Sequence, residues 1–258
     1  MENGSLDRYV FGDVDKRRQL SWKRRLHIIT CIADGVCYLH VDSNRKVIHR
    51  DLKPANILLA DDLSTPKIAD FGLAKHVPDQ AALHTPVGPI GYLAPECRNG
   101  QTTYKSDVYS FGVVMLEIIR GDTNCVTDMQ RLLPPQAWNS WNTNNDEARY
   151  TLQKLLDPKV PLSQEEGADP KFLSRLWRCI QIGLLCVQES PDKRPDIEQV
   201  VEMLKTEGEL PEQEEPTLRE KGETSNARPE PEEPTFKVKH RTQGAKTMTS
   251  NKTSNSSF

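Results

Sequence analysis

Between Ser106 and Arg120 the chain carries Val108, Phe111, Val113, Val114, Met115, Leu116, Ile118 and Ile119, and the pattern stops at Gly121. At 3.6 residues per turn those side chains cover most of a helix circumference rather than one stripe. Such a helix has no face to give to water, so other elements must surround it. It is expected at the centre of a domain, with Gly121 ending it. Its longest apolar piece, Val113 to Ile119, contains Glu117 and falls far short of the roughly 20 residues that span a bilayer.

Three more helices are expected around it. From Trp22, apolar residues recur at Leu26, Ile29, Ala33 and Val36, with Ser21 as N-cap. A second carries Phe172, Leu176, Ile180, Gly183 and Val187. A third follows Pro195, with Ile197, Val200, Val201 and Leu204 on one stripe and the proline in its first turn. Strands are few: Val47-Ile48, Ile57-Leu58-Leu59 and Pro66-Lys67-Ile68-Ala69, the last two separated by Asp61-Asp62 as a hairpin turn. The expected fold class is mainly α with a small β element, over residues 1–205.

From Thr206 the composition changes. Residues 206–236 hold ten glutamates, three basic residues and five prolines, and residues 237–258 hold five Lys/Arg and no acid. Little there can be buried to offset the entropy of ordering, so 206–258 is expected to be a disordered charged tail. The whole chain has 258 residues and a formal charge of −3, which gives no global drive toward nucleic acid or an anionic membrane. Met1-Glu2-Asn3-Gly4 is polar and no signal peptide is expected, so the chain as written reads as cytoplasmic. The cysteines at 31, 37, 97, 125, 179 and 186 form no C-x-x-C pair. Cys31, Cys37, Cys179 and Cys186 fall in helical patterns and read as small buried hydrophobes. Asn3-Gly4-Ser5 reads as a turn and helix cap.

The chemistry concentrates in Val47-Ile48-His49-Arg50-Asp51-Leu52-Lys53-Pro54-Ala55-Asn56-Ile57-Leu58-Leu59. Asp70-Phe71-Gly72 begins 14 residues past Asn56, and Ala94-Pro95-Glu96 follows. This series resembles the protein-kinase signature H-R-D-L-x-x-x-N, D-F-G and A-P-E, in order. Phosphoryl transfer suits those residue types, since its catalysis is mostly positioning and charge stabilisation. The resemblance implies that Asp51 is the base or orienter of the substrate hydroxyl and that Lys53 reaches the transferring phosphate as a point charge. It implies Asn56 and Asp70 as oxygen ligands for Mg²⁺, and Leu58 under the adenine of ATP. His49, Arg50, Phe71 and Gly72 complete the two signatures.

The resemblance carries further. Ser106-Asp107-Val108-Tyr109-Ser110-Phe111-Gly112 is similar to the central helix of the kinase C-terminal lobe, where Asp107 would hold the catalytic-loop backbone. Arg194-Pro195 is similar to the family's late arginine, which would pair with Glu96. Lys53 resembles the serine/threonine class. Arg50 would pair with a phosphate on the segment from Asp70 to Glu96, with Thr85 the candidate acceptor. Asn3 to Asp7 and Ile182 to Glu189 resemble plant receptor-like kinases of the cysteine-rich and S-domain types, which usually sit at the cytoplasmic face of the plasma membrane.

Two features depart from the family. The chain begins after the hinge, and it contains no G-x-G-x-x-G and no V-A-I-K-like strand. It therefore reads as a kinase C-terminal lobe with the N-terminal lobe missing, offering only the floor of an ATP site. On that reading the isolated chain binds Mg-ATP poorly and transfers phosphate negligibly. Secondly, Pro89 in Gly88-Pro89-Ile90-Gly91-Tyr92 stands where the serine/threonine family usually has threonine, whose hydroxyl bonds the catalytic aspartate and lysine. Two functions follow: a Ser/Thr kinase domain acting on a protein substrate, or a non-catalytic module that binds a partner kinase or its substrate.

Overall fold

The computed structural model describes residues 3–76, 88–89, 91–123 and 145–211, without the side chains of 145–149. They all fall within the first of the chain's two units, residues 1–218. The tail expected to be disordered lies outside the described residues from 212 onward.

The all-round apolar helix is α4 (Tyr104–Arg120), in which every residue from Ser106 to Ile119 is buried. Gly121 ends it in the left-handed region at φ 72°, and its N–H donates to the Glu117 carbonyl at 2.7 Å. The elements before α4 are α1 (Asp7–Val10), α2 (Val14–Gln19), α3 (Trp22–Cys37), β1 (Val47–Ile48), β2 (Ile57–Leu59), β3 (Pro66–Ile68) and β4 (Lys75–His76). Those after it are α5 (Asn145–Leu155), α6 (Gln164–Ala168), α7 (Pro170–Cys186) and α8 (Ile197–Lys205). Helices α7 and α3 pack on α4, and α8 packs on α3.

The α4–α7 crossing depends on two glycines. A Cβ added to Gly112 would sit 2.5 Å from the Cβ of Cys186 and 3.0 Å from the Gly183 carbonyl; one added to Gly183 would meet Leu116 at 2.9 Å. At the other end of α4, the buried Arg25 of α3 donates to the carbonyl of Ile118 and, at 2.8 Å, to the Asp157 carboxylate. Arg17 of α2 donates to the Gly121 carbonyl and to Asp157. One carboxylate thus staples α2, α3 and the end of α4, and satisfies two guanidinium groups that would otherwise be buried unpaired.

The β element is two small antiparallel pairs. β1 pairs with β4, Val47 opposite His76, and β2 with β3, Ile57 opposite Ile68. Asp62 makes the β2–β3 turn by accepting from the backbone N–H groups of Ser64 and Thr65, each at 3.0 Å. Ile57 and Leu59 are fully buried while Leu58, pointing to the opposite face, is only half-buried. A bridge from Ser5 lies alongside Leu58.

The mainly helical reading with a small β element stands. Local details differ. Pro195 lies before α8 rather than in its first turn, because Asp196 takes the N-cap and its N–H donates to Gln199 Oε1 at 2.8 Å. Asn3 caps no helix; its amide donates to the Ala60 carbonyl at 2.6 Å and ties the start of the chain to the β2–β3 turn. Cys179 and Cys186 are buried, but Cys31 and Cys37 are only half so. Cys31 lies midway along α3, one turn after exposed His27, whose Nε2 is 3.5 Å from its sulfur.

Candidate active site

The stretch from His49 to Asn56 is shaped by a side chain far away in sequence. Asp107, in the first turn of α4 and 1% exposed, accepts the His49 N–H at 2.7 Å and the Arg50 N–H at 2.9 Å. Its Oδ2 also lies 2.9 Å from Nε2 of buried His40. Arg50 adopts φ 69°, a conformation that costs a non-glycine residue free energy and persists only where surroundings enforce it. The two bonds to Asp107 supply that enforcement. His49 then places its ring between segments: Nε2 is 3.0 Å from the Ala69 carbonyl, Nδ1 accepts the Asp51 N–H at 3.3 Å, and the ring meets Phe71 edge-on at 5.0 Å. With a carbonyl on one side and a donor on the other, the proton belongs on Nε2.

Asp51 is buried, and its carboxylate is surrounded by donors. Lys53 Nζ lies 3.0 Å from Oδ1 and 2.7 Å from Oδ2. Asn56 Nδ2 donates to the Asp51 carbonyl at 2.8 Å and to Oδ2 at 2.7 Å. Pro54 opens the 3-10 turn Pro54–Asn56 that brings Asn56 back onto Asp51, its fixed φ suiting a first helical position. The Asn56 carbonyl accepts the Ala69 N–H at 2.8 Å, which places Asp70 next to the loop. Asp70 is exposed and takes φ 62°, with Oδ1 accepting the Gly72 N–H at 3.3 Å. Phe71 is 48% exposed. Both Asn56 donor hydrogens have partners, so its Oδ1 and the Asp70 carboxylate are the oxygen atoms left to meet a hard cation, which favours such ligands.

The segment before Ala94-Pro95-Glu96 leans on this loop. Gly88 has φ 130°, and a Cβ there would lie 2.8 Å from the Arg50 carbonyl, so the close approach needs glycine. Pro89 follows, its carbonyl accepting the Tyr92 N–H at 3.0 Å. Pro89 offers no hydroxyl, and Lys53 rests on Asp51 instead. Thr85 lies outside the described residues. Tyr92 is bound twice to α4: its hydroxyl donates to buried Glu117 at 2.8 Å, and its carbonyl accepts from Ser110 Oγ at 2.7 Å. Burial, with a smaller push from Asp122, raises the Glu117 carboxyl to about 8 against the pull of the Tyr92 hydroxyl.

Glu96 meets Arg194 in a two-pronged pair, 2.7 Å from Nη1 and 2.8 Å from Nη2, and also accepts from Ser106 Oγ at 2.9 Å. Burial alone would raise its carboxyl, but the Arg194 hydrogen bonds and charge outweigh that and hold it below the ordinary value. The structure therefore brings Asp51, Lys53, Asn56, His49, Arg50 and Asp107 into one cluster, with Asp70, Phe71 and Gly72 against it. Leu58 lies on β2 just beyond Asn56, and Glu96–Arg194 forms a separate anchor. Sequence reasoning missed His40, Ser110 and Tyr92, and saw Glu117 only as a break in an apolar run. That break was the available signal, since a carboxyl among buried apolar neighbours needs a partner.

An aspartate held by a lysine and an asparagine, beside a second, exposed aspartate, is the kind of charge arrangement that phosphoryl transfer calls for. A family model for the protein kinase domain matches residues 1–204. The chain is 46% identical over 211 residues to cysteine-rich receptor-like protein kinase 7 of Arabidopsis thaliana, covering 79% of this chain and 30% of that protein. It is 41% identical over 233 residues to G-type lectin S-receptor-like serine/threonine-protein kinase SD1-13 of the same plant, covering 87% and 26%. Cysteine-rich receptor-like protein kinase 6 matches at 47% over 211 residues, 79% of this chain and 29% of that protein. The chain belongs to the protein kinase family. It spans less than a third of the length of these receptor-like relatives.

Proposed function

We infer that this chain carries the catalytic loop of a Ser/Thr protein kinase, which, joined to an amino-terminal lobe, transfers the γ-phosphoryl group of Mg-ATP to a protein hydroxyl. The observation that carries it is the Asp51 environment. Among the described residues, Oδ2 receives both Lys53 and Asn56, whereas Oδ1 receives Lys53 alone. Oδ1 is therefore the atom with room to accept the proton of an incoming serine or threonine hydroxyl. Lys53, a compact charge in direct hydrogen-bond contact with both oxygens, is placed to meet the transferring phosphate. Asn56 Oδ1 and Asp70 fit Mg²⁺ by donor chemistry, and the ion when bound would offset charge on the phosphate oxygens. Leu58 offers an apolar surface for the adenine. Arg50 is the group against which a phosphate on the segment from Asp70 to Glu96, at Thr85, would dock. Residues 1–205 form the catalytic lobe in this reading, with 206–258 as a tail.

Among the described residues no helix is long and apolar enough to cross a membrane. The receptor-like relatives support action beside the plasma membrane on its cytoplasmic face, on a protein substrate. Joining the chain behind the amino-terminal lobe of one of those relatives tests the reading. Transfer from Mg-ATP to a generic basic protein is expected, and Asp51→Asn should reduce it by about 10² to 10⁴. An inert wild-type fusion, or transfer that survives Asp51→Asn, would overturn it.

A further inference from the structure

Helices α3 and α7, with the chain leaving α8, enclose a groove of about 1170 Å³ that shares no residue with the catalytic loop. Its floor is apolar, with Leu26, Trp177 and Ile182 buried beneath it. Its walls carry lysine and arginine side chains, with one histidine. Lys23 and His27 stand one turn apart on α3, and Lys171, Arg175 and Arg178 succeed one another along one face of α7.

These cations are not equivalent. Arg178 is structural: its Nε donates to the Met203 carbonyl at 2.8 Å and its Nη1 to the Gly208 carbonyl at 2.6 Å, which pins the chain after α8 into the groove wall. Lys205 is paired with Asp34 at 2.7 Å. Lys23, Lys171 and Arg175 are exposed, and their side chains take part in no hydrogen bond or ion pair of the described residues. Among the described residues, the only carboxylates lining the groove are Glu207 and Glu209, on the pinned chain itself. That chain reaches the groove with Leu210 and Pro211, and the next four residues in sequence are Glu212-Gln213-Glu214-Glu215.

We propose that this groove is the docking site for the acidic segment 212–215 of the same chain. Three cations without a side-chain partner among the described residues line the groove, and three glutamates stand in the four residues that follow its last lining residue in sequence. Two walls carrying lysine and arginine over an apolar floor suit a single extended peptide; a flat or convex basic face would be needed to meet a bilayer. One exposed ion pair contributes little, but covalent attachment holds the segment at an effective concentration in the millimolar range. Salt weakens the contact, since all partners are near the surface. The groove is then closed to acidic segments of other proteins while its own segment occupies it.

The test uses the full 258-residue chain and a fluorescein-labelled peptide with the sequence of residues 211–218, followed by anisotropy at low salt. The triple variant Glu212→Gln, Glu214→Gln, Glu215→Gln should bind the added peptide about tenfold more tightly than wild type, because the tethered competitor is weakened. Adding Lys23→Glu, Lys171→Glu and Arg175→Glu should abolish that binding. If the reversals lower the melting temperature, glutamine at the same three positions replaces them. Equal affinity of wild type and the glutamate-to-glutamine variant, no binding to either, or binding that survives loss of the groove cations would each overturn the proposal.

Discussion

Arg194→Ala should be among the most damaging single changes outside the catalytic loop. Arg194 is 2% exposed and its guanidinium serves five acceptors: both oxygens of Glu96 and the carbonyls of Lys105, Gln188 and Glu189. Its plane also lies over the Tyr109 ring, 4.9 Å from the centroid. Removing it leaves the Glu96 carboxylate with Ser106 Oγ as its remaining side-chain donor. Breaking one partner of a buried pair costs about 3–5 kcal/mol. For a domain of this size that is a fall in melting temperature on the order of 10 °C. Calorimetry on wild type, Arg194→Ala, Glu96→Ala and the double variant measures it. The double variant should lose less than the two single losses together by about 0.5–3 kcal/mol, because each single change strands the other's charge. The pH dependence has a fixed sign. A carboxyl held below its ordinary 4.5 contributes stability above that pH, and the contribution is lost as pH falls through the lowered value. Arg194→Ala should remove this acid-side slope. An unchanged melting temperature, or strict additivity in the double variant, would refute the pairing as an energetic anchor.

Two further perturbations probe α4. The Glu117 carboxyl, raised from 4.5 to about 8 by burial, stays protonated in the fold while the unfolded chain ionises, so wild-type stability falls as pH rises from about 4.5 to about 8. Glu117→Gln cannot ionise and should gain on wild type across that interval; a melting-temperature difference that does not change with pH would contradict the raised carboxyl. Gly112→Ala places a methyl 2.5 Å from the Cβ of Cys186 and should cost about 1–3 kcal/mol by forcing α4 and α7 apart. Cys186→Ala should not rescue it, because the offending Cβ remains, and rescue by that second change in thermal melts would show that the clash lies elsewhere.

What the sequence revealed depended on whether a signal was local. α4 was legible because its burial on every side writes apolar residues around the whole helix, and α3, α7 and α8 because each buries one stripe. β4 was not, since Lys75 and His76 are both exposed and form a strand only by pairing with β1. The short helices α1 and α2 carry too little periodicity to read, and α2 is held from outside, by Arg17 reaching Gly121 and Asp157 more than a hundred residues away. The same division runs through the site. Asp51, Lys53 and Asn56 lie within six residues, so the resemblance to the kinase signature picked them out together as one local motif. Asp107 and the Glu96–Arg194 pair came only through family resemblance, because no periodicity links residues 58 or 98 apart. His40 and Tyr92 came from neither. Their placement follows from a rule that acts after folding: Asp107 and Glu117 are carboxyl groups inside an apolar helix, and each must find donors among whatever the fold brings alongside. A polar residue inside an otherwise buried run is therefore the position where a sequence reader should ask what lies across from it, and in this chain both such carboxyls turn out to hold the segments that flank Asp51.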